Sequence, residues 1–130
     1  MAFSFKDIIA WQKSYEFVLM VYQVTRKYPD FEKYSLASQF QRAAVSIVAN
    51  IAEGSKKLSK ADKLRFMNIA QGSLEECRCY IILSKDLMYI SDDEFHQLSY
   101  KIDGASYNLN AYCKAINENK GIRDRNLTSL

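Results

Sequence analysis

The chain has 130 residues, 48% of them hydrophobic and 25% charged, which is enough for one domain with its own core. Four glycines and one proline are too few turn residues for a sandwich or barrel of this length. The net charge of +3 is too mild to name a nucleic-acid partner, and no run approaches the roughly 20 apolar residues that cross a bilayer. The opening Met1-Ala2-Phe3-Ser4-Phe5-Lys6-Asp7 lacks the basic-then-apolar order of a secretion signal, so the expected location is cytoplasmic, with no membrane partner.

Apolar residues recur at helical spacing along most of the chain. The first helix is predicted from Lys6 to Tyr28, where Pro29 pushes the preceding residue out of the helical region. Asp30 to Tyr34 forms a short connection, and a second helix starts at Ser35 as N-cap, carrying Leu36, Phe40, Ala43, Ile47 and Ile51. Ser59 with Asp62 is a relative of the capping box and opens a third helix, with Met67, Ala70, Leu74, Cys77, Ile81 and Met88 on one stripe. Ser91 with Glu94 is a full capping box. It opens a fourth helix whose apolar positions are Phe95, Leu98, Ile102, Ala105, Leu109, Tyr112 and Ile116. The predicted fold is all-α, an antiparallel up-down-up-down four-helix bundle over residues 1–116, with a polar, disordered tail over 117–130.

Helix one is apolar on two sides. At about 100° per residue, Ile8, Trp11, Tyr15, Val18, Leu19 and Tyr22 form one stripe, read as core. Phe17, Val21, Val24 and Tyr28, with Ala10 and Ser14, lie opposite and are read as an interface between copies of a homo-oligomer. On helix two, Gln39, Arg42, Ser46, Asn50, Glu53 and Lys57 are spaced three or four apart. That stripe is a solvated face, a hydrogen-bonded network at a subunit contact, or a surface that reads phosphate. Lys56, Lys57, Lys60, Lys63 and Arg65 cluster between helices two and three. Lysines there complement a helix C-terminus, and together they also form a phosphate-contacting patch to which Arg42 is a further candidate.

Catalytic and metal-binding patterns are missing. His96 has no companion at ligand spacing, Glu75 and Glu76 diverge, and no glycine-rich phosphate loop is present. Cys77 and Cys79 point about 200° apart on a helix, which suits neither a disulfide nor a shared metal. No enzyme activity, cofactor, metal or small-molecule substrate is expected.

Several segments occur in a distinctive order: Trp11-Gln12-Lys13, Tyr34-Ser35-Leu36-Ala37-Ser38-Gln39, Arg42-Ala43-Ala44-Val45-Ser46-Ile47, Asn50-Ile51-Ala52-Glu53-Gly54, and Phe66 through Glu76 with its Gly72-Ser73-Leu74-Glu75-Glu76 ending. From about Phe5 to Ile116 the chain resembles the four-helix bundle family encoded in intervening sequences of 23S ribosomal RNA genes. The resemblance implies assembly as rings, typically of five subunits. It also implies a likeness to the accessory variability determinant proteins of diversity-generating retroelements, which are associated with nucleic acid. No catalytic residue comes with it. Two departures stand out: Val48 replaces the proline of the family's S-I-P-x-N segment, and Gln41-Arg42 replaces paired arginines. The leading expectation is a homopentamer that binds structured RNA or a nucleoprotein through repeated basic patches. The alternative is an interaction scaffold with no nucleic-acid role.

Overall fold

The computed structural model describes residues 3–118. Four helices follow one another: α1 (Ile9–Thr25), α2 (Leu36–Ser55), α3 (Lys60–Asp86) and α4 (Asp92–Asn117), with single 3-10 turns at Phe5–Asp7 and Asp30–Glu32. Each helix packs on two neighbours, in the cyclic order α1, α2, α3, α4. Side-chain bonds across the seams pair rising numbers with falling ones: Gln39 with Tyr80 and Ser46 with Ser73 between α2 and α3, then Arg78 with Asp103 and Gln71 with Asn110 between α3 and α4. Neighbouring helices are therefore antiparallel, and the chain forms an up-down-up-down four-helix bundle.

Helix boundaries follow local chemistry. Helix α1 starts at Ile9, later than the predicted Lys6, because Ser4 and Asp7 close a turn of their own: the Ser4 amide donates to Asp7 Oδ2 at 3.2 Å, and Ile8 is extended. At its other end α1 stops at Thr25, and the chain reaches Tyr28 through tighter bonds from Lys27 N to Val24 O and from Tyr28 N to Thr25 O. Ser35 is the N-cap residue of α2, but its side chain makes no capping bond. The Glu32 carboxylate takes that role, accepting from the Leu36 amide at 3.3 Å. Ser59 Oγ accepts from Asp62 N, and Ser91 with Glu94 forms both bonds of a capping box, as their sequences require.

Helix α3 ends two residues before Met88, which the helical stripe had included. Met88 is instead exposed, with φ of 63°. It sits where a Schellman ending places its left-handed residue: Tyr89 N donates to Ser84 O at 2.9 Å and Met88 N to Lys85 O at 3.0 Å. The remaining predicted positions on α3 and α4 point inward. Met67, Ala70, Leu74, Cys77 and Ile81 meet Leu98, Ile102, Ala105, Leu109, Tyr112 and Ile116 in one core, with Phe95 packed at its margin. Helix α2 approaches α3 closely at Gly54, where a Cβ would stand 2.6 Å from Phe66 Cβ and 2.7 Å from Met67 Cε. Asn117 closes α4 and Glu118 is its C-cap; the rest of the predicted tail lies outside the described residues.

Candidate functional site

The two faces of α1 exchange roles. Phe17 and Val21 are 0% exposed, and Val24 and Tyr28 are buried with them. Phe17 packs against Phe40 of α2 with ring centroids 6.3 Å apart, and Tyr28 donates to Ser84 Oγ of α3 at 2.6 Å. These four residues are bundle core, so they cannot form the interface assigned to them. The stripe read as core faces outward instead. Leu19 is 53% exposed, Tyr15 and Tyr22 are more than 40% exposed, and Trp11 is half-buried, stacked on Tyr15 at 4.9 Å with Phe5 at its edge. Only Ile8 and Val18 of that stripe are buried.

The physical reason is width. Neighbours α2 and α4 can cover only part of a helix, and here Met20, Phe17, Val21, Ser14 and Thr25 span the arc they cover. Aromatic content then misleads, because the exposed stripe carries three aromatic rings, Trp11, Tyr15 and Tyr22, and the buried one only two, Phe17 and Tyr28. The exposed stripe continues onto α2. Gln41 donates to Thr25 Oγ1 at 2.9 Å, which turns that side of α2 toward α1, and the exposed Val45 and half-buried Val48 follow one and two turns later.

The polar stripe of α2 is mostly a seam with α3. Ser46 and Ser73 hydroxyls lie 2.8 Å apart, Asn50 donates to Ser46 O at 2.8 Å and to its Oγ at 3.0 Å, and Tyr80 donates to Gln39 at 3.1 Å. Asn50 thus bonds Ser46 rather than Glu53 or Arg42, and the exposed Glu53 stands outside the network. The Tyr80 hydroxyl also bonds Glu76, which pushes its pKa up to about 12.

The basic cluster at the α2–α3 turn is largely occupied by the fold. Lys63 Nζ donates to Ser55 O at 2.7 Å, closing the end of α2, and Lys60 Nζ donates to Asn117 O at 3.0 Å, closing the end of α4. Lys57 and Arg65 both lie over the Phe66 ring, 4.9 and 4.7 Å from its centre, and Arg65 is 3.7 Å from Asp62. Lys56 is exposed at the same rim. Arg42 is not part of this cluster. It stands 14 residues before Lys56 on α2, about 21 Å along the axis. There it shares the opposite end of the bundle with Arg26 and Lys33.

This is an ordered set of bundle seams, with an apolar stripe and two separate cationic ends. The family model for the 23S rRNA-intervening sequence protein matches residues 6–111. The chain belongs to that family. Among solved structures, the 23S rRNA-intervening sequence fold is similar to that of a protein of unknown function from the S23 ribosomal protein family of Bacteroides thetaiotaomicron VPI-5482. The two share 22% identity with a TM-score of 0.75, covering 82% of this chain and 99% of the other. No curated protein matches the sequence.

In this member of the 23S rRNA-intervening sequence protein family, Cys77 is buried, Cys113 is half-buried and Cys79 is exposed. Among the described residues no group of three or more His, Cys, Asp and Glu could hold a metal ion. Burial pushes the Cys77 thiol far above its ordinary range and Cys113 up to about 11, so neither supplies a thiolate near neutrality. His96 is exposed beside Phe95. No helix among the described residues is long and apolar enough to cross a membrane.

Proposed function

We propose that this protein is a non-enzymatic helical scaffold that self-associates, with a second copy covering the apolar stripe of α1 and α2. The observation that supports this reading is the stripe itself. Tyr15, Leu19, Tyr22 and Val45 stay exposed on one side while the bundle core is complete without them. Contiguous apolar surface of this kind marks an interface, and a repeated copy of one chain is the commonest partner. The family resemblance implies rings of five, and that is the assembly size adopted in this proposal.

Light scattering on the purified chain tests it. The expected mass is about five times 15.0 kDa, and Leu19→Asp with Tyr22→Ser returns it to one copy while the far-UV spectrum stays helical. A wild-type mass of 15.0 kDa at micromolar concentration overturns the reading. Phe17→Asp is the contrasting variant: it buries an unpaired charge and unfolds the bundle rather than dissociating it.

RNA binding is a second reading, favoured by cationic groups at both ends of the bundle and by the repetition that a ring would give them. Backbone phosphates are the natural partners of such groups, so contact with structured RNA or a nucleoprotein would be positioning rather than sequence-reading. A variant set at the α2–α3 rim must respect the capping bonds. Substituting Lys60 or Lys63 removes a helix-end bond along with a charge, so Lys56 and Lys57 are the positions to neutralise first.

A further inference from the structure

The end of the bundle opposite the predicted basic rim carries an open groove of about 570 Å³ between the end of α1 and the start of α2. Arg26, Lys33 and Arg42 line it, against one acid, Asp30. No ion pair of the described residues engages Arg26, Lys33 or Arg42, in contrast to Lys27, which is paired with Glu94. Glu32 is turned to other work, bonding the Leu36 amide and the Tyr89 hydroxyl. Ala37 and Ser38 add the first turn of α2, whose leading amide, that of Leu36, is already met by the Glu32 carboxylate, so the groove's positive charge comes from its side chains.

One exposed aromatic ring lines the groove with these charges, and a second stands in the short turn Asp30–Glu32 that leads to it. Tyr34, on the groove wall, is 88% exposed with Lys33 5.5 Å from its ring centre, and Phe31, three residues earlier, is 76% exposed. The fold has little use for either ring, since the neighbouring core is filled by Tyr28, Leu36, Ala37 and Phe40. Free cations beside the bare face of Tyr34, with Phe31 exposed in the adjoining turn, match one ligand chemistry, phosphodiesters with unstacked bases. A duplex offers its phosphates but keeps its bases stacked inside, so the rings would go unused.

We infer that the Arg26–Lys33–Arg42 groove binds single-stranded RNA, holding its phosphates while Tyr34 and Phe31 stack bases. The inference rests on the RNA-binding reading above and gives that reading a site at the opposite end from the α2–α3 rim.

Fluorescence anisotropy with a labelled oligouridine of about six nucleotides tests it on the full chain. Three phosphate contacts predict that affinity falls about 20-fold between 50 and 200 mM salt. Tyr34→Ala or Phe31→Ala should each cost about 5- to 150-fold in affinity. Arg26→Gln with Arg42→Gln should flatten the salt dependence, while Lys56→Gln with Lys57→Gln leaves binding intact. All these side chains except Lys57 are exposed, so a melting curve distinguishes lost binding from lost fold. Uridine monophosphate as competitor separates a strand site from a nucleotide pocket, and equal displacement per mole overturns the strand assignment. Equal binding of a blunt RNA duplex removes the stacking role. If the rim variant loses binding and the groove variants keep it, the groove assignment falls and RNA binding survives. If the wild type binds none of these nucleic acids, both fall.

Discussion

At the scale of single residues, Met88 is the clearest misfit between side chain and backbone. A β-carbon at φ of 63° crowds the following carbonyl, which is why such Schellman endings favour glycine. Its side chain is exposed and contributes no core contact in return. Met88→Gly should therefore raise stability by about 1 kcal/mol, visible as a few degrees in the melting temperature. A lowered melting temperature would mean that the methionine is held by something the φ angle does not reveal. Ser14 is a misfit of another kind: its hydroxyl is buried without a hydrogen-bond partner among the described residues. That is a cost the core of α1 carries in its middle turn.

At the scale of elements, the glycines of α2 and α3 separate two physical roles. Gly54 lets α2 approach Phe66 and Met67, and Phe66 Cβ is too close to its own backbone to move aside. Gly54→Ala gains about 1 kcal/mol of helix propensity and loses about 1–3 kcal/mol to overpacking, so the expected sign is destabilising. Gly72, inside α3, has open space around the missing Cβ, and Gly72→Ala should stabilise by about 0.5–1 kcal/mol. Denaturant midpoints of the two variants, compared side by side, check both signs. If Gly54→Ala is also stabilising, the close approach of α2 to α3 is not limiting.

At the scale of the whole molecule, α1 and α4 are joined at one end by Lys27 and Glu94. The Lys27 ammonium, followed by the Ser91 amide, holds the Glu94 carboxyl below its ordinary value of 4.5. A carboxyl depressed by folding adds stability that is fully present above pH 4.5 and is lost as pH falls through the lower folded value. Melting temperature should therefore drop on the acid side of that range, and Lys27→Gln should shrink the Glu94 share of the drop. An unchanged acid limb in the variant would assign the loss to other carboxylates.

Much of the bundle is legible in the amino-acid sequence. Four helices, their order and the inward positions of α3 and α4 follow from spacing and capping residues, because each of those helices has one apolar stripe to offer. Helix α1 offers two, and nothing local distinguishes Phe17 and Val21 from Tyr15 and Leu19. The choice depends on where α2 and α4 sit, which no single helix encodes. The basic rim was legible as a cluster. Its occupation by carbonyls of Ser55 and Asn117 was not, since Asn117 lies 57 residues from Lys60. The groove at the other end was missed because Arg26, Lys33 and Arg42 come from three separate stretches, and only the α1–α2 turn brings them together.

The stacking of Trp11 on Tyr15 gives the molecule a built-in optical reporter. The chain contains one tryptophan, and it stands in the apolar stripe rather than in the core. Indole emission follows the polarity of its immediate surroundings, so whatever lies over that face colours the whole protein's fluorescence. Dilution, salt and substitution at Leu19 can then be followed on an unlabelled sample through a single chromophore at the surface in question.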